Sequence, residues 1–333
     1  MISFIIPAYN AEDTIELTIR SIINVYEDAE IIVVENGSTD HTTERVQLLV
    51  SKFQNVKLIH SEKGVSKARN AGIQYATNKW VSFIDSDDIW LGNKTEIEDL
   101  MIKKNKVDLF LFSYKKENQI IQHDYPQIDV VIDSKEELTN ASAWMIKRPT
   151  LRMTVWAKIF KKDFLQNYKL EFDEELTFSE DSEFMLRCLK KVKSLFIASS
   201  IVYQYCNSCN SSTRRIDPSR IDAYLESLKK VLPYFIETNN LMKRAYRDYV
   251  IAQINLIAVH NVFSVDIKVP WNERKEMIRK IYDENDIKDY ASEFSLSDFL
   301  DPYYFSAILF KNGIYGAGGL ICYLRSYENK KRP

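Results

Sequence analysis

The sequence predicts an α/β protein: a sheet with helices on both faces, followed by a mostly helical C-terminal region. Two observations carry the first half of that reading. Apolar, β-branched runs alternate with amphipathic helical stretches through the first hundred residues. The runs are apolar at consecutive positions, as in strands covered on both faces. The third observation is that from Asp217 onward the apolar residues recur at helical spacing. With 333 residues, 45% hydrophobic and 28% charged, the chain can bury a large core and suits one large domain plus a smaller one.

Residues 2–6 read as a short strand expected to end at Pro7. Ile15, Ile19, Ile22 and Ile23 then fall on one helical face, with Asn10 or Ala11 near its start. Residues 31–34 make a second strand, after which Gly37-Ser38-Thr39-Asp40 breaks the chain and caps a second helix. Residues 56–59 and 80–84 are further strands, separated by a helix over 66–77. Beyond Asp88 the regularity fades. A helix over 93–105, a buried strand over 107–113 and edge strands within 119–132 are expected, then helices over 221–238, 241–263 and 272–285. Polar residues cluster at 212–218, and Pro218 can open a helix, so a domain boundary is placed there. The expected division is 1–215 and 216–333.

Formal net charge is −2, and no basic stripe of the kind that neutralises phosphates is present, so nucleic acid is not an expected partner. Four scattered cysteines suit a reducing compartment. Cys206-Asn-Ser-Cys209 has knuckle spacing but no second ligand pair, and free thiols are expected there. No basic leader and no apolar run of spanning length stand out, so a cytoplasmic protein is expected.

In open α/β sheets ligands bind at the carboxyl ends of the strands. The residues found there are Pro7-Ala8-Tyr9-Asn10, Glu35 to Asp40, His60 to Asn70, and Asp85-Ser86-Asp87-Asp88. Three carboxylates in four residues repel one another unless a cation joins them. Behind a buried strand, a hard divalent ion such as Mn²⁺ or Mg²⁺ fits, since such ions take oxygen ligands and bridge to diphosphates. The plain alternative is a solvated acidic turn. Gly64 precedes a helix carrying Lys67 and Arg69, a setting that suits an anion. Neither a Walker loop nor G-x-G-x-x-G follows the first strand, which removes the P-loop and dinucleotide readings.

These four segments, in this order, resemble family 2 glycosyltransferases, inverting enzymes of the GT-A fold. The resemblance is dense over 1–110 and thinner through Trp156-Ala-Lys158-Ile-Phe and Phe178-Ser-Glu180-Asp181. It implies a mixed sheet of GT-A type, with 1–110 binding a nucleotide-sugar and 111–215 on the acceptor side. Pro7, Tyr9, Glu35, Asn36 and Arg69 would line the nucleotide pocket. Asp85 and Ser86 would face the donor, Asp87 would ligate the metal, and Asp181 would be the general base. Arg214 would reach the donor phosphates from a later loop. One departure is that Glu35-Asn36 replaces the usual pair of aspartates. Asn36 can still accept the uracil N3–H through its carbonyl oxygen, so a UDP-sugar remains the expected donor.

No Arg-Trp dipeptide of the processive synthases is present, which favours addition of one sugar at a time. The expected acceptor is a glycan or lipid-linked saccharide of a cell-surface polysaccharide. A noncatalytic nucleotide-binding or partner-binding module is the rival reading. A sugar-nucleotide pyrophosphorylase would begin with a glycine-rich, arginine-containing loop, which Pro7-Ala8-Tyr9-Asn10 is not. The tail over 305–323, with Arg325, Lys330, Lys331 and Arg332 beyond, mixes apolar and basic residues. It suits peripheral contact with an anionic membrane or packing in a homodimer.

Overall fold

The computed structural model describes residues 1–117, 119–206, 220–235, 239–284 and 298–331. The chain divides into two compact units, one of Met1–Ser142 with Met153–Cys209 and one of Ala143–Arg152 with Asn210–Pro333. A short insert of the first half thus belongs with the C-terminal helices, a division the sequence did not suggest.

The first unit is built on one sheet, in the order β3-β2-β1-β4-β9-β6-β10-β5, with β7 paired to β6 and β8 to β10. The strands are β1 (Ile2–Ala8), β2 (Glu30–Glu35), β3 (Val56–His60), β4 (Trp80–Phe83), β5 (Ile89–Trp90), β6 (Leu109–Lys116), β7 (Gln119–Ile121), β8 (Val131–Ile132), β9 (Lys158–Lys161) and β10 (Leu195–Tyr205). β1 to β4 are parallel to one another, whereas β9 runs antiparallel to both β4 and β6. The expected mixed sheet with helices on both faces is therefore observed.

Pro7 does not end β1. It pairs with Val34, inside the strand. The Ile5 carbonyl accepts from Ile84 N–H, so the odd residues of β1 direct their backbone groups toward β4. β4 has ended by the level of Pro7, so the N–H that proline lacks would have had no partner there.

On one face of the sheet, Phe4, Ile6, Ile31 and Val33 join the core with Ile15, Ile19 and Ile22 of α1 (Ile15–Ile23), Val46 and Leu49 of α2 (Thr42–Val50), and Ile97 and Met101 of α4 (Lys94–Lys103). Asn93 caps α4 by accepting from Glu96 N–H. The other face is covered by α3 (Val65–Tyr75) and α8 (Glu180–Lys191), where Phe184 stacks on Phe172 at 4.0 Å and meets Phe83 and Phe160 edge-on. β9 and β10 were not anticipated from the sequence.

Helices α5 (Lys135–Lys147), α6 (Pro149–Arg152) and α7 (Lys162–Asn167) follow the strands of the middle region. The second unit is helical: α9 (Arg220–Val231), α10 (Asn240–Ile257), α11 (Trp271–Glu284) and the stretches Phe305–Lys311 and Tyr315–Lys331. The helix expected over 241–263 changes to a π-helical turn at Ala258–Val262. Among the described residues no helix is long and apolar enough to cross a membrane.

Candidate active site

The carboxyl ends of β1, β2 and β4 and the N-terminus of α3 carry the residues singled out above. Asn10 has a positive φ of 49°, a conformation asparagine tolerates, and its Oδ1 accepts from Thr39 N–H at 2.8 Å. Asn10 N–H in turn donates to Ser38 Oγ at 3.0 Å. The loops after β1 and β2 are thereby tied together, with Tyr9 at their rim. Lys63 Nζ donates to the Tyr9 hydroxyl at 3.0 Å and lies 4.7 Å from its ring centroid.

Glu35 and Asn36 take different parts. The Glu35 carboxylate is buried, accepts from Ser38 N–H, and lies 3.1 Å from His60 Nδ1, so both its oxygens hold the loop. Burial pushes its pKa up, but the hydrogen bonds from Ser38 and His60 leave it lowered overall. Asn36 is 4% exposed, and its Oδ1 has no hydrogen-bond partner among the described residues. A buried amide oxygen without a partner costs free energy unless a ligand supplies the donor.

Arg69 is the centre of the site. Its side chain is 4% exposed and lies 5.2 Å from the Phe172 ring centroid. Its Nη1 donates to Asp181 Oδ1 at 2.6 Å and to Glu180 Oε1 at 3.1 Å, and its Nη2 to Asp85 Oδ1 at 3.3 Å. One guanidinium therefore joins the carboxylates of Asp85 and Asp181, which come from two distant parts of the sequence, a task its planar fork favours. The family resemblance puts Arg69 at the nucleotide pocket; in the structure its charge is engaged by these three acids. Burial pushes the Asp85 and Glu180 carboxyls up, to about 6 and about 7, against the pull of Arg69.

Tyr203, on β10, holds the acidic turn from behind. Its hydroxyl accepts from Asp85 N–H at 3.2 Å and donates to Asp88 Oδ2 at 2.5 Å, while Cys206 N–H donates to Asp88 Oδ1 at 2.7 Å. Trp156 stacks on the Tyr203 ring at 4.8 Å. Burial raises the fully buried Asp88 carboxyl to about 8. Thr18 donates to the Ser86 carbonyl at 2.9 Å, fixing the turn from α1. Tyr203 gave no signal in the sequence, and Asp88 was visible only as the last acid of the turn.

Asp87 is half-buried, with no hydrogen bond or ion pair among the described residues. Its carboxylate suits a hard cation, although no group of three or more His, Cys, Asp or Glu side chains forms a metal cluster among the described residues. The fit is to an ion of the Mg²⁺ kind, held by one or two carboxylates and completed by phosphate and water. Cys206 is a free thiol; Cys209 and Arg214 lie outside the described residues.

Comparison with known proteins agrees with this geometry. The model of the family described as "Glycosyl transferase family 2" matches residues 3–166, from the start of β1 through β9. Residues 3–166 are a glycosyl transferase family 2 domain. An Escherichia coli relative, the UDP-Glc:alpha-D-GlcNAc-diphosphoundecaprenol beta-1,3-glucosyltransferase WfgD, is 36% identical over 118 residues, 34% of this chain and 46% of its own. The poly(ribitol-phosphate) beta-glucosyltransferase of Bacillus spizizenii is 28% identical over 217 residues, 61% of this chain and 32% of its own. The chain thus spans less than half the length of these two relatives. Among solved structures, S. aureus TarS 1-349 in complex with UDP has a TM-score of 0.62 at 20% identity, covering 99% of this chain and 92% of that one. The family 2 domain and the helices after it therefore have the fold of glycosyltransferases of GT-A type.

Proposed function

We propose that the chain is an inverting glycosyltransferase that moves one sugar from a UDP-sugar to a saccharide acceptor of cell-surface polysaccharide synthesis. The observation that carries this reading is the Arg69 cluster, which gathers the acidic turn after β4 and the Glu180-Asp181 pair of α8 around one cation at the carboxyl edge of the sheet. The E. coli relative's name specifies a UDP-glucose donor and a diphosphoundecaprenol-linked GlcNAc acceptor, which supports a UDP-sugar and a lipid-linked acceptor here. A Pyrobaculum calidifontis mannosyltransferase of similar fold (TM-score 0.53) was solved with GDP-Man and Mn²⁺, which supports a divalent ion.

In this reading uracil N3–H donates to Asn36 Oδ1, Tyr9 lies beside the base, and Asp85 takes the ribose. Asp87 would hold Mn²⁺ or Mg²⁺, which when bound supplies Lewis-acid stabilisation of the diphosphate's negative charge. Asp181 is the general base. Its Oδ1 is taken by Arg69, while Oδ2 has only a long contact, 3.4 Å, from Val155 N–H. Oδ2 is therefore the atom free to receive the acceptor hydroxyl proton. As that proton transfers, the acceptor oxygen bonds to the anomeric carbon. The bond from that carbon to the phosphate oxygen breaks, and its electron pair leaves on the diphosphate. One displacement inverts the anomeric centre.

Thermal shift with UDP-glucose, UDP-GlcNAc, GDP-mannose and dTDP-glucose, each with Mn²⁺ or EDTA, tests the reading. The uridine sugars should raise Tm in Mn²⁺ and much less in EDTA, and Asp87→Ala should abolish the difference. A flat response to every donor would leave a noncatalytic domain as the better account.

A further inference from the structure

Lys158 opens β9 and is 3% exposed. A lysine ammonium is almost never fully buried without a paired acid. Yet among the described residues the one hydrogen bond of its Nζ is a long one, 3.4 Å to Thr154 Oγ1, and no carboxylate lies within ion-pairing distance. Strand alternation puts Lys158 on the face of β9 that carries Phe160. Phe160 meets Phe184 of α8 at 5.8 Å, so α8 covers that face. Asp181 precedes Phe184 by three residues, on the same side of α8. Val155 N–H reaches the Asp181 carboxylate as well, tying the segment that enters β9 to the same group.

The charge balance gives this arrangement a purpose. Arg69 is one cation for Asp85, Glu180 and Asp181. Around Asp181 stand Arg69 from α3, Glu180 from its own helix and Asp85, which shares Arg69, from the turn after β4; Lys158 of β9 bonds Thr154, the neighbour of the Val155 whose N–H reaches Asp181. We propose that Lys158 is a positioning residue for Asp181, a second cation for this carboxylate while Arg69 is shared with Asp85. The proposal rests on the reading of Asp181 as general base. Burial pushes the Lys158 ammonium down to about 7, with Asp181 drawing it back up, so the charge is present over the acid range in which a carboxylate ionises.

Lys158→Met keeps the volume and removes the amine. Since an unpaired buried charge is costly, this variant should fold and melt no lower than the wild type. Lys158→Arg keeps the charge. The coupling is measured without any substrate, on the full chain labelled with ¹³Cε-lysine. The NMR resonance missing from Lys158→Met identifies the group, and its titration midpoint should fall by about one unit in Asp181→Asn. An unchanged midpoint overturns the proposal.

The catalytic arm uses Mn²⁺-dependent hydrolysis of UDP-glucose and UDP-GlcNAc, with water as acceptor. Lys158→Met should move the acid limb of kcat up by about one pH unit, with the loss of kcat reaching about tenfold only on that limb, donor KM unchanged and Lys158→Arg restoring the profile. An unmoved acid limb, or a loss confined to KM, overturns it. No hydrolysis by the wild type, with the NMR coupling intact, would overturn the transferase reading alone. Normal hydrolysis without the coupling would overturn the role of Lys158 alone.

Discussion

At the scale of single residues, the site works by dividing its acids among different partners. Asp88 is spent on Tyr203 and Cys206, and Glu35 on the turn at Ser38. Asp85 and Asp181 share Arg69, and Asp87 has no partner among the described residues, which leaves it for the proposed cation. Asp181→Asn removes the proposed proton acceptor while keeping an oxygen for Arg69. It should leave UDP-sugar binding within about twofold and slow sugar transfer by about 10²–10⁴, the usual worth of a general base. Titration calorimetry for the donor and a product assay with a lipid-linked GlcNAc acceptor separate the two effects. Transfer at the wild-type rate would remove Asp181 from the chemistry. Glu35, Asn36 and the acids of the 85–88 turn were legible because they follow recognisable strands, whereas Glu180 and Asp181 were legible only through the family resemblance. Tyr203 and Lys158 were not, since a tyrosine or lysine within a strand carries no local mark of what it touches across the sheet.

At the scale of elements, the position of Arg69 depends on how closely α3 lies against β1. A Cβ built on Gly72 would stand 2.3 Å from Ile5 Cγ2, and Ile5 is fully buried with nowhere to go. Gly72→Ala should therefore push α3 outward. The gain in helix propensity, about 1 kcal/mol, is smaller than an overpacking cost of about 1–3 kcal/mol. We expect a net loss of up to about 2 kcal/mol in urea unfolding with an unchanged m-value, and weaker donor binding because Arg69 sits one turn earlier on the same helix. A variant as stable as the wild type would show that the helix shifts without cost.

The same scale explains which elements the sequence revealed. β1 to β4 are short, apolar and bounded by turn residues, and all were legible to within a few residues. β10 was not. Ala198-Ser199-Ser200 interrupts its apolar run, and its register against β6 shifts twice between Ile197 and Tyr203, so no single period runs through it. β9 is four residues with a lysine at each end, and nothing local says that Lys158 is buried.

At the scale of the whole molecule, stability should vary with pH in two opposed windows. Glu30 accepts from Ser3 Oγ at 2.5 Å, Lys57 Nζ at 2.7 Å, and Thr77 N–H and Oγ1 at 2.8 and 2.9 Å. Burial pushes its carboxyl up, but these bonds outweigh burial and hold it at about 2. A depressed carboxyl contributes stability that is fully present above its unfolded value and is lost as pH falls through the folded one. That loss runs from about pH 4.5 down to 2. Asp85, Glu180 and Asp88, raised chiefly by burial to about 6, 7 and 8, act with the opposite sign. The folded state holds protons there that the unfolded state has released, so stability falls as pH rises through that range. The thermal midpoint of the apoprotein should therefore peak at about pH 4, where the gain from Glu30 is nearly complete and the cost of the three raised carboxyls sets in, and decline from there toward pH 8. Asp88→Asn should flatten the upper part of that decline, because it removes the highest of the three carboxyls while keeping an acceptor for Tyr203. Saturating Mn²⁺ and UDP should flatten it further, since a bound cation favours the ionised acids of the turn. A midpoint that rises steadily from pH 6 to 8 would mean that the site acids are already ionised in the folded protein, with Arg69 and Lys158 together neutralising more of their charge than burial exposes.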